Sequence, residues 1–351
     1  MSVTIKEIAL RTGLSIPTVG NVLGRSGSRY SVATRQRVMQ AAEQLGYKPN
    51  SSARAMRQGR FGCAALVLSR SRQSTHSYIP PNLLDGLDDE LQRHNMHLTV
   101  SRLTDEELTR TDFIPKVLRE HLADGMIVNY THEIPPTMLE LIRSHHTPAV
   151  WVNAKLDADC VYPDDFAASH QATEELLRLG HKHIAFVHLI SRGGWQGSFD
   201  ENRPRFHYSA LDRANGYASA MRAAGLSPQV LSHDRFIHES EQMTVCRQLL
   251  TGEHRPTAVL VYSEGEAQAV LCAAISLGLA VPHDLSLLAF SAFGHYVAGH
   301  LVSVVAVPTE EMGRCAVRCL LQKLKEPDVV CEPLSVAYGL GGERQTIAAA
   351  S

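Results

Sequence analysis

Ile16, Pro17, Gly20 and Asn21 fall on one side of the segment that begins at Ile16, while Val19, Val22 and Leu23 fall on the other. An asparagine amide on an exposed helix face can pair with the N6 and N7 edge of adenine, and apolar groups such as Ile16 and Pro17 can meet thymine methyls. Thr18, Arg25 and Arg29 flank this face and suit phosphate oxygens. The face is otherwise poor in donors, and an exposed glycine costs roughly 1 kcal/mol of helix stability relative to alanine. A reader of this kind leans on phosphate contacts and on DNA shape. The chemistry is that of binding: no Gly-x-Ser-x-Gly, phosphate loop or HExxH motif occurs, so the chain does not read as an enzyme.

The elements that must position these groups have clear punctuation. Thr4 with Glu7 three residues on forms a capping box, and Ile5, Ile8 and Ala9 predict a helix to Thr12 that Gly13 closes. Ser15 caps a second helix with Pro17 in its first turn, ending at Gly24; Ser31 caps a third, from Val32 to about Leu45, that stops at Gly46. Two helices joined by a tight glycine turn make a helix-turn-helix. Beyond Pro49 and Asn50, a short basic helix is expected over 51–58, carrying Ala53, Arg54, Met56 and Arg57.

Charge separates this region from the rest. Residues 1–60 hold ten Lys and Arg against Glu7 and Glu43, whereas the remaining 291 residues carry a net charge of −10. The overall charge of −2 therefore conceals a cationic module, the footprint of a phosphate-binding surface.

From Gly62 the pattern changes to short apolar runs separated by amphipathic stretches. Residues 63–68, 126–128, 149–152, 183–187, 258–262 and 285–290 read as buried parallel strands, and the segments between them as helices. The fold class expected is an all-α helix-turn-helix domain followed by doubly wound α/β structure. Ligands of such sheets lie outside the carboxyl ends of the strands.

The runs Thr4-Ile5-Lys6-Glu7-Ile8-Ala9, Gly13-Leu14-Ser15-Ile16-Pro17-Thr18-Val19, Thr34-Arg35-Gln36-Arg37-Val38 and Leu45-Gly46-Tyr47-Lys48-Pro49-Asn50 resemble the lactose-repressor (LacI/GalR) family of bacterial transcription regulators. The resemblance extends through Leu179-Gly180-His181-Lys182-His183-Ile184-Ala185, Arg213 with Gly216-Tyr217, Pro256-Thr257-Ala258, 278–284 and Glu311-Met312-Gly313. It implies an α/β effector domain of two subdomains, periplasmic-binding-protein-like, with a ligand cleft between them. The domains implied are 1–48 for DNA binding, 49–60 for a hinge, and 61–345 for effector binding and dimerisation. The last comprises subdomains of about 61–160 with 291–322, and 161–290 with 323–345. In the family, paired hinge helices enter the minor groove and a leucine wedges between base pairs; Met56 stands at that position, and Ala53 is small enough for close helix pairing. The family usually has serine where Gly20 stands and often arginine or histidine where Asn21 stands. The DNA-binding set expected is Thr4, Ile5, Ser15, Ile16, Pro17, Thr18, Gly20, Asn21, Arg25, Arg29, Tyr47, Asn50, Ala53, Arg54 and Met56.

For the effector, the resemblance points to Arg213 as the ligand-contacting arginine, and to Asp165, which with Asp164 replaces an Asp-Asn pair. Glu264 stands for a usual aspartate, Ser291 ends the strand where a carboxylate is usual, and Ser77-Tyr78-Ile79-Pro80 replaces Asn-Pro-Phe. Rings at Tyr78, Trp195 and Tyr262 could stack on apolar ligand faces or serve ordinary packing. The expectation is a small polar effector, a carbohydrate first, with Tyr78, Ile79, Asp165, Trp195, Arg213, Tyr262, Glu264 and Ser291 around it. The long connection over 191–212 is either a lid or an idle insertion. Because two effector positions differ from the family, an effector-independent DNA-binding protein with a degenerate sensor is the alternative.

Seven cysteines in apolar segments read as reduced thiols, and no Cys/His spacing of zinc type appears among the eighteen histidines; neither a metal nor a cofactor is expected. No apolar run matches a membrane span and no signal-peptide core opens the chain, so a cytoplasmic, nucleoid-associated bacterial protein is expected. Its expected partners are double-stranded operator DNA, the effector and a second copy of itself. The tail after Arg344 has no leucine heptads, which favours a dimer over a tethered tetramer.

Overall fold

The computed structural model describes residues 3–24, 29–48, 60–70, 79–80, 82–104, 123–129, 136–189, 207–232, 237–294, 296–339 and 345–350. The chain divides into two units, Met1–Phe61 and Gly62–Ser351.

In the first unit, the Glu7 carboxylate reaches back to the Thr4 amide at 2.6 Å and opens helix α1, Ile5–Thr12. Gly13 closes it in the left-handed region, φ 64°, a conformation glycine adopts without steric penalty. Ser15 accepts from the Thr18 amide at 3.2 Å to start α2, Ile16–Val22, and Ser31 does the same for Thr34 to start α3, Val32–Gln44. Ile8, Ala9, Val19, Val22, Val38, Ala41 and Ala42 form the buried core of this unit. All three helices start where their capping residues predict, because each cap satisfies amide groups that the helix itself leaves open.

The second unit is built on two parallel sheets. Its elements are β1 Cys63–Arg70, α4 Leu83–Arg93, β2 His97–Thr104, β3 Gly125–Asn129, α5 Pro136–Ser144, β4 Ala149–Val152, β5 Cys160–Pro163, α6 Asp165–Arg178, β6 Ile184–His188, α7 Tyr208–Ala223, β7 Gln229–Ser232, α8 Glu239–Thr251, β8 Ala258–Val261, α9 Glu264–Ser276, β9 Ser286–Ser291, the hairpin β10 Tyr296–Val297 and β11 His300–Leu301, β12 Ser303–Ala306, α10 Thr309–Lys325 and β13 Leu334–Val336. The first sheet runs β13-β5-β4-β3-β1-β2 and the second β12-β9-β8-β6-β7, with every pairing in both parallel.

Strand residues alternate between two cores in each sheet. In the first, Leu66, Ile127, Val150 and Val161 meet Leu83, Leu87 and Leu91 of α4 and Met312, Val317 and Leu320 of α10, while Val67, Val128 and Trp151 meet Met138 and Ile142 of α5. In the second, Phe186, Leu260 and Phe290 pack with Ala172, Leu176 and Tyr217, and Val187, Val259, Val261 and Leu287 pack with Leu250 and Val270. Helices on both faces explain why the central strands are continuous apolar runs.

The chain passes between the sheets at later points than expected for two of the three crossings. The first follows β5. The second lies after Ala306, not near 290, because Ser303–Ala306 pairs in register with Leu288–Ser291 before α10 returns to the first sheet. The third follows Val336, not 322, because Leu334–Val336 pairs with Val161–Pro163. The connection expected over 191–212 ends earlier: α7 begins at Tyr208, so Tyr208–Asp212 are helical, and residues 190–206 lie outside the described residues, as do 49–59 of the expected hinge.

Candidate functional site

On the first unit, Ile16, Pro17 and Asn21 are exposed on α2, opposite the buried Val19 and Val22, and open space surrounds Gly20. Asn21 is oriented by a partner from outside its helix: its Nδ2 donates to the Tyr30 hydroxyl at 3.1 Å. The Thr18 hydroxyl is shared with Ser15 at 2.8 Å, so both belong first to the cap. Thr4 is exposed but bonded to Glu7, whereas Ile5 and Tyr47 pack partly against the core and present only part of their surface to a ligand. The backbone N–H of Glu7 and the free edge of the helix start remain oriented by that cap. Arg29 is exposed.

In the second unit, Asp165 opens α6 directly after β5, and Arg213 projects from the second turn of α7. Both are buried, and Arg213 Nε donates to Asp165 Oδ1 at 2.6 Å. Arg213 Nη1 donates to the Tyr262 carbonyl at 2.7 Å and Nη2 to the Tyr338 hydroxyl at 3.1 Å. That hydroxyl in turn donates to Asp165 Oδ1 at 2.7 Å. The guanidinium carbon lies 4.2 Å from the Phe290 ring centre and 4.8 Å from that of Tyr262, within cation-π range. Burial works against the guanidinium charge, but the Asp165 carboxylate, with Tyr338 and Tyr262, more than offsets it and holds Arg213 protonated.

Around this pair runs an ordered relay. His207 Nε2 donates to the Asn153 carbonyl at 2.8 Å, its Nδ1 shares a hydrogen bond with Ser209 Oγ at 2.7 Å, and Ser209 Oγ shares another with the Tyr262 hydroxyl at 2.9 Å. Lys155 Nζ meets Asp212 at 2.7 Å, and that hydrogen bond raises the lysine pKa despite partial burial. Both contacts join the end of β4 to the start of α7.

Three buried groups have no hydrogen-bond partner among the described residues: Asp165 Oδ2, the Tyr208 hydroxyl and the Asn129 carboxamide at the carboxyl end of β3. Burial, with Asp165 close by, pushes the Tyr208 phenol well above its ordinary range.

Residues 4–50 match the model of bacterial regulatory proteins of the lacI family, and residues 173–340 match the periplasmic binding protein-like domain. The chain belongs to the lacI family of bacterial regulatory proteins. This lacI-family chain is 26% identical to the ribose operon repressor of Haemophilus influenzae over 344 residues, covering 95% of its own length and 97% of the relative's. It superposes on the lac repressor dimer bound to operator and the anti-inducer ONPF with a TM-score of 0.75 at 19% identity, covering 99% of this chain and 100% of that one. On the complex of the transcriptional regulator CelR with cellobiose the TM-score is 0.64 at 22% identity, over 98% and 99% of the two chains. The lacI-family protein is thus a DNA-binding transcriptional regulator, and its relatives are regulators, not enzymes.

In this lacI-family regulator the structure brings Asp165, Arg213 and Tyr262 together, and the Tyr262 ring is covered on one side by the guanidinium, which makes it a packing partner of Arg213. Ser291 hydrogen-bonds to Glu264, so a carboxylate from α9 fills the place where the strand end lacks one. Ile79 packs partly buried against the core of the first sheet and presents only part of its surface. Arg25, Asn50, Ala53, Arg54, Met56, Tyr78 and Trp195 lie outside the described residues. Tyr30, Asn129, Tyr208 and Tyr338 were not singled out from the sequence. Asn129 closes an apolar run and was detectable as the first polar residue after a strand; Tyr338 follows an edge strand with no apolar signal of its own. Among the described residues, no helix is long and apolar enough to cross a membrane, and no cluster of His, Cys, Asp and Glu is suited to a metal ion.

Proposed function

We propose that this regulator binds a palindromic operator as a dimer and that a small neutral polyhydroxy effector, a carbohydrate, controls it from the cleft between the two sheets. The observation that carries the effector reading is the pair of unsatisfied groups, Asp165 Oδ2 and the Asn129 carboxamide, at strand carboxyl ends. A buried polar atom left without a partner costs about 1–3 kcal/mol, and ligand hydroxyls satisfy both, donating to the carboxylate and both giving to and accepting from the amide. Because Asp165 already balances the charge of Arg213, the site favours a neutral ligand over an anion. CelR, bound to cellobiose, and the ribose operon repressor support a sugar; the lac repressor dimer on its operator supports two-fold DNA reading.

The test is a thermal-shift screen of full-length protein with ribose, cellobiose and related mono- and disaccharides. At least one raises the midpoint, since a ligand at 100 times its Kd stabilises by about 2.7 kcal/mol, and Asn129→Leu removes that rise. Genomic fragments selected by the protein should enrich a palindrome, and Met56→Ala should weaken specific but not non-specific binding if residues 49–60 act as a minor-groove hinge.

A second reading has its own observation. Nε, Nη1 and Nη2 of Arg213 are each engaged by the protein, with the Tyr338 hydroxyl where a ligand hydroxyl would sit. An effector-independent repressor with a degenerate sensor would enrich its operator yet respond to no sugar.

A further inference from the structure

Three of the seven cysteines gather at one place in the first lobe of the second unit. Cys315 and Cys319 lie one turn apart on α10, and Cys331 sits in the connection from α10 to β13. Cys331 Sγ stands 3.9 Å from the Cys319 carbonyl oxygen, which brings the segment entering β13 against the turn of α10 that carries Cys319. Both cysteines are free thiols. Cys331 is held in place from three sides: its amide donates to Asp159 Oδ1 at 2.9 Å, its carbonyl accepts from the Asp159 amide at 2.8 Å, and Lys323 Nζ, on the last turn of α10, meets the same carboxylate oxygen at 2.7 Å. Lys323 also donates to the Val329 carbonyl at 3.0 Å, which fixes the turn leading to Cys331.

We infer that Cys319 and Cys331 form an oxidation-dependent disulfide that staples α10 to the segment entering β13. Cys315 is excluded as the partner by helix geometry: Cβ atoms four residues apart on a helix are about 5–6 Å from each other, whereas a disulfide needs about 3.5–4.5 Å. Cys331 approaches from another segment and is free of that constraint. Burial pushes the Cys319 thiol up to about 11, and burial together with the Asp159 carboxylate raises that of Cys331 against the smaller opposite effect of the Lys323 ammonium. Both thiols are thereby held protonated, and the pair stays reduced until a peroxide is present.

The reaction balances with a hydroperoxide as oxidant. One of the two sulfurs attacks the peroxide as its thiolate, an S–O bond forms as the O–O bond breaks, and the leaving oxygen takes up the proton that the thiol released, giving the sulfenic acid and one molecule of water or alcohol. The other sulfur of the pair then attacks the sulfenic sulfur; the S–S bond forms, the S–O bond breaks, and the thiol proton leaves with that oxygen as water. Two thiols are oxidised and one peroxide is reduced.

The test treats native full-length protein with hydrogen peroxide, blocks remaining thiols with iodoacetamide before unfolding, and maps linked peptides by mass spectrometry. The Cys319–Cys331 peptide pair is expected in the wild type and in Cys315→Ser, is absent in Cys331→Ser, and disappears on reduction with dithiothreitol. Oxidation should raise the melting temperature by a few degrees in the wild type and in Cys315→Ser only. Absence of the linked pair in the wild type, or a Cys315–Cys319 link in its place, overturns the assignment; so does a link that forms only after the protein is unfolded. The wild-type map decides the pairing even where a variant fails to fold.

Discussion

Gly216 lies so close to the Phe166 carbonyl that a Cβ added to it would stand 2.2 Å from the oxygen. This is where α7 crosses α6, and the approach seats Arg213 over Asp165. Gly216→Ala must force the two helices apart. Overpacking of this kind costs typically about 1–3 kcal/mol, and more is expected here because the obstructing atom is backbone. Urea unfolding should show a lower midpoint with an unchanged slope. A midpoint equal to the wild type would mean that the crossing adjusts without loss.

The buried Arg213–Asp165 pair makes an asymmetric forecast. Removing one partner, as in Arg213→Met, leaves the buried Asp165 carboxylate without its counter-charge, and should destabilise by about 3–5 kcal/mol. Removing both, as in Arg213→Met with Asp165→Leu, should recover a large part of that loss because no uncompensated charge remains. A double-mutant cycle by denaturant unfolding reads the difference, and additive losses would argue against the coupling.

Much of this architecture was legible before any coordinates. The caps at Ser15 and Ser31 and the glycine at 13 placed three helices, and the buried runs at Ala149–Val152 and Ala258–Val261 announced central strands. The strands that escaped notice are ones such as Gln229–Ser232 and Leu334–Val336, which lie at sheet edges with half their residues exposed. With one side facing solvent, they carry no apolar run to distinguish them. The same cause displaced the third crossing, which β13 bounds; β12 is largely buried but only four residues long, with two valines between Ser303 and Ala306. At the site, Arg213 and Asp165 stood out through the resemblance, but Tyr338 is brought to them from 125 residues away by the third crossing, a distance no local pattern encodes.

His181 gives a pH dependence of definite sign. Its Nε2 donates to the Ala348 carbonyl at 2.9 Å, so Nδ1 of the neutral ring accepts from the Thr257 hydroxyl at 2.9 Å. Burial lowers its pKa below the ordinary 6.5, against a smaller opposite effect of the Ala348 bond. The unfolded chain therefore binds the proton more readily, and the stability His181 contributes is present above about pH 6.5 and erodes as the pH falls below it. Melting temperatures at pH 7.5 and 5.5 should drop less for His181→Gln than for the wild type. Equal drops would remove His181 from the account.

The Asn21–Tyr30 contact bears on DNA reading. Tyr30→Phe leaves the Asn21 amide without its orienting oxygen and should weaken selection of the preferred operator, while Asn21→Ala should cost about 1–3 kcal/mol and relax one base position. Arg29→Ala should instead weaken all sequences alike and reduce the salt dependence by about one charge. Binding titrations on selected and scrambled fragments at two salt concentrations separate these outcomes.

Tyr338 stands two residues beyond the last strand of the first sheet, yet its hydroxyl is held by Asp165 and Arg213, which belong to helices of the second. Tyr338 packs against the core of the second sheet beside Phe290, so the chain has completed its third crossing within two residues of Val336. If the proposed effector changes the affinity for the operator, reciprocity of linked equilibria requires the operator to change the affinity for the effector by an equal factor. On the proposed reading, a ligand affinity measured without DNA describes a different molecule from the one that sits on the operator.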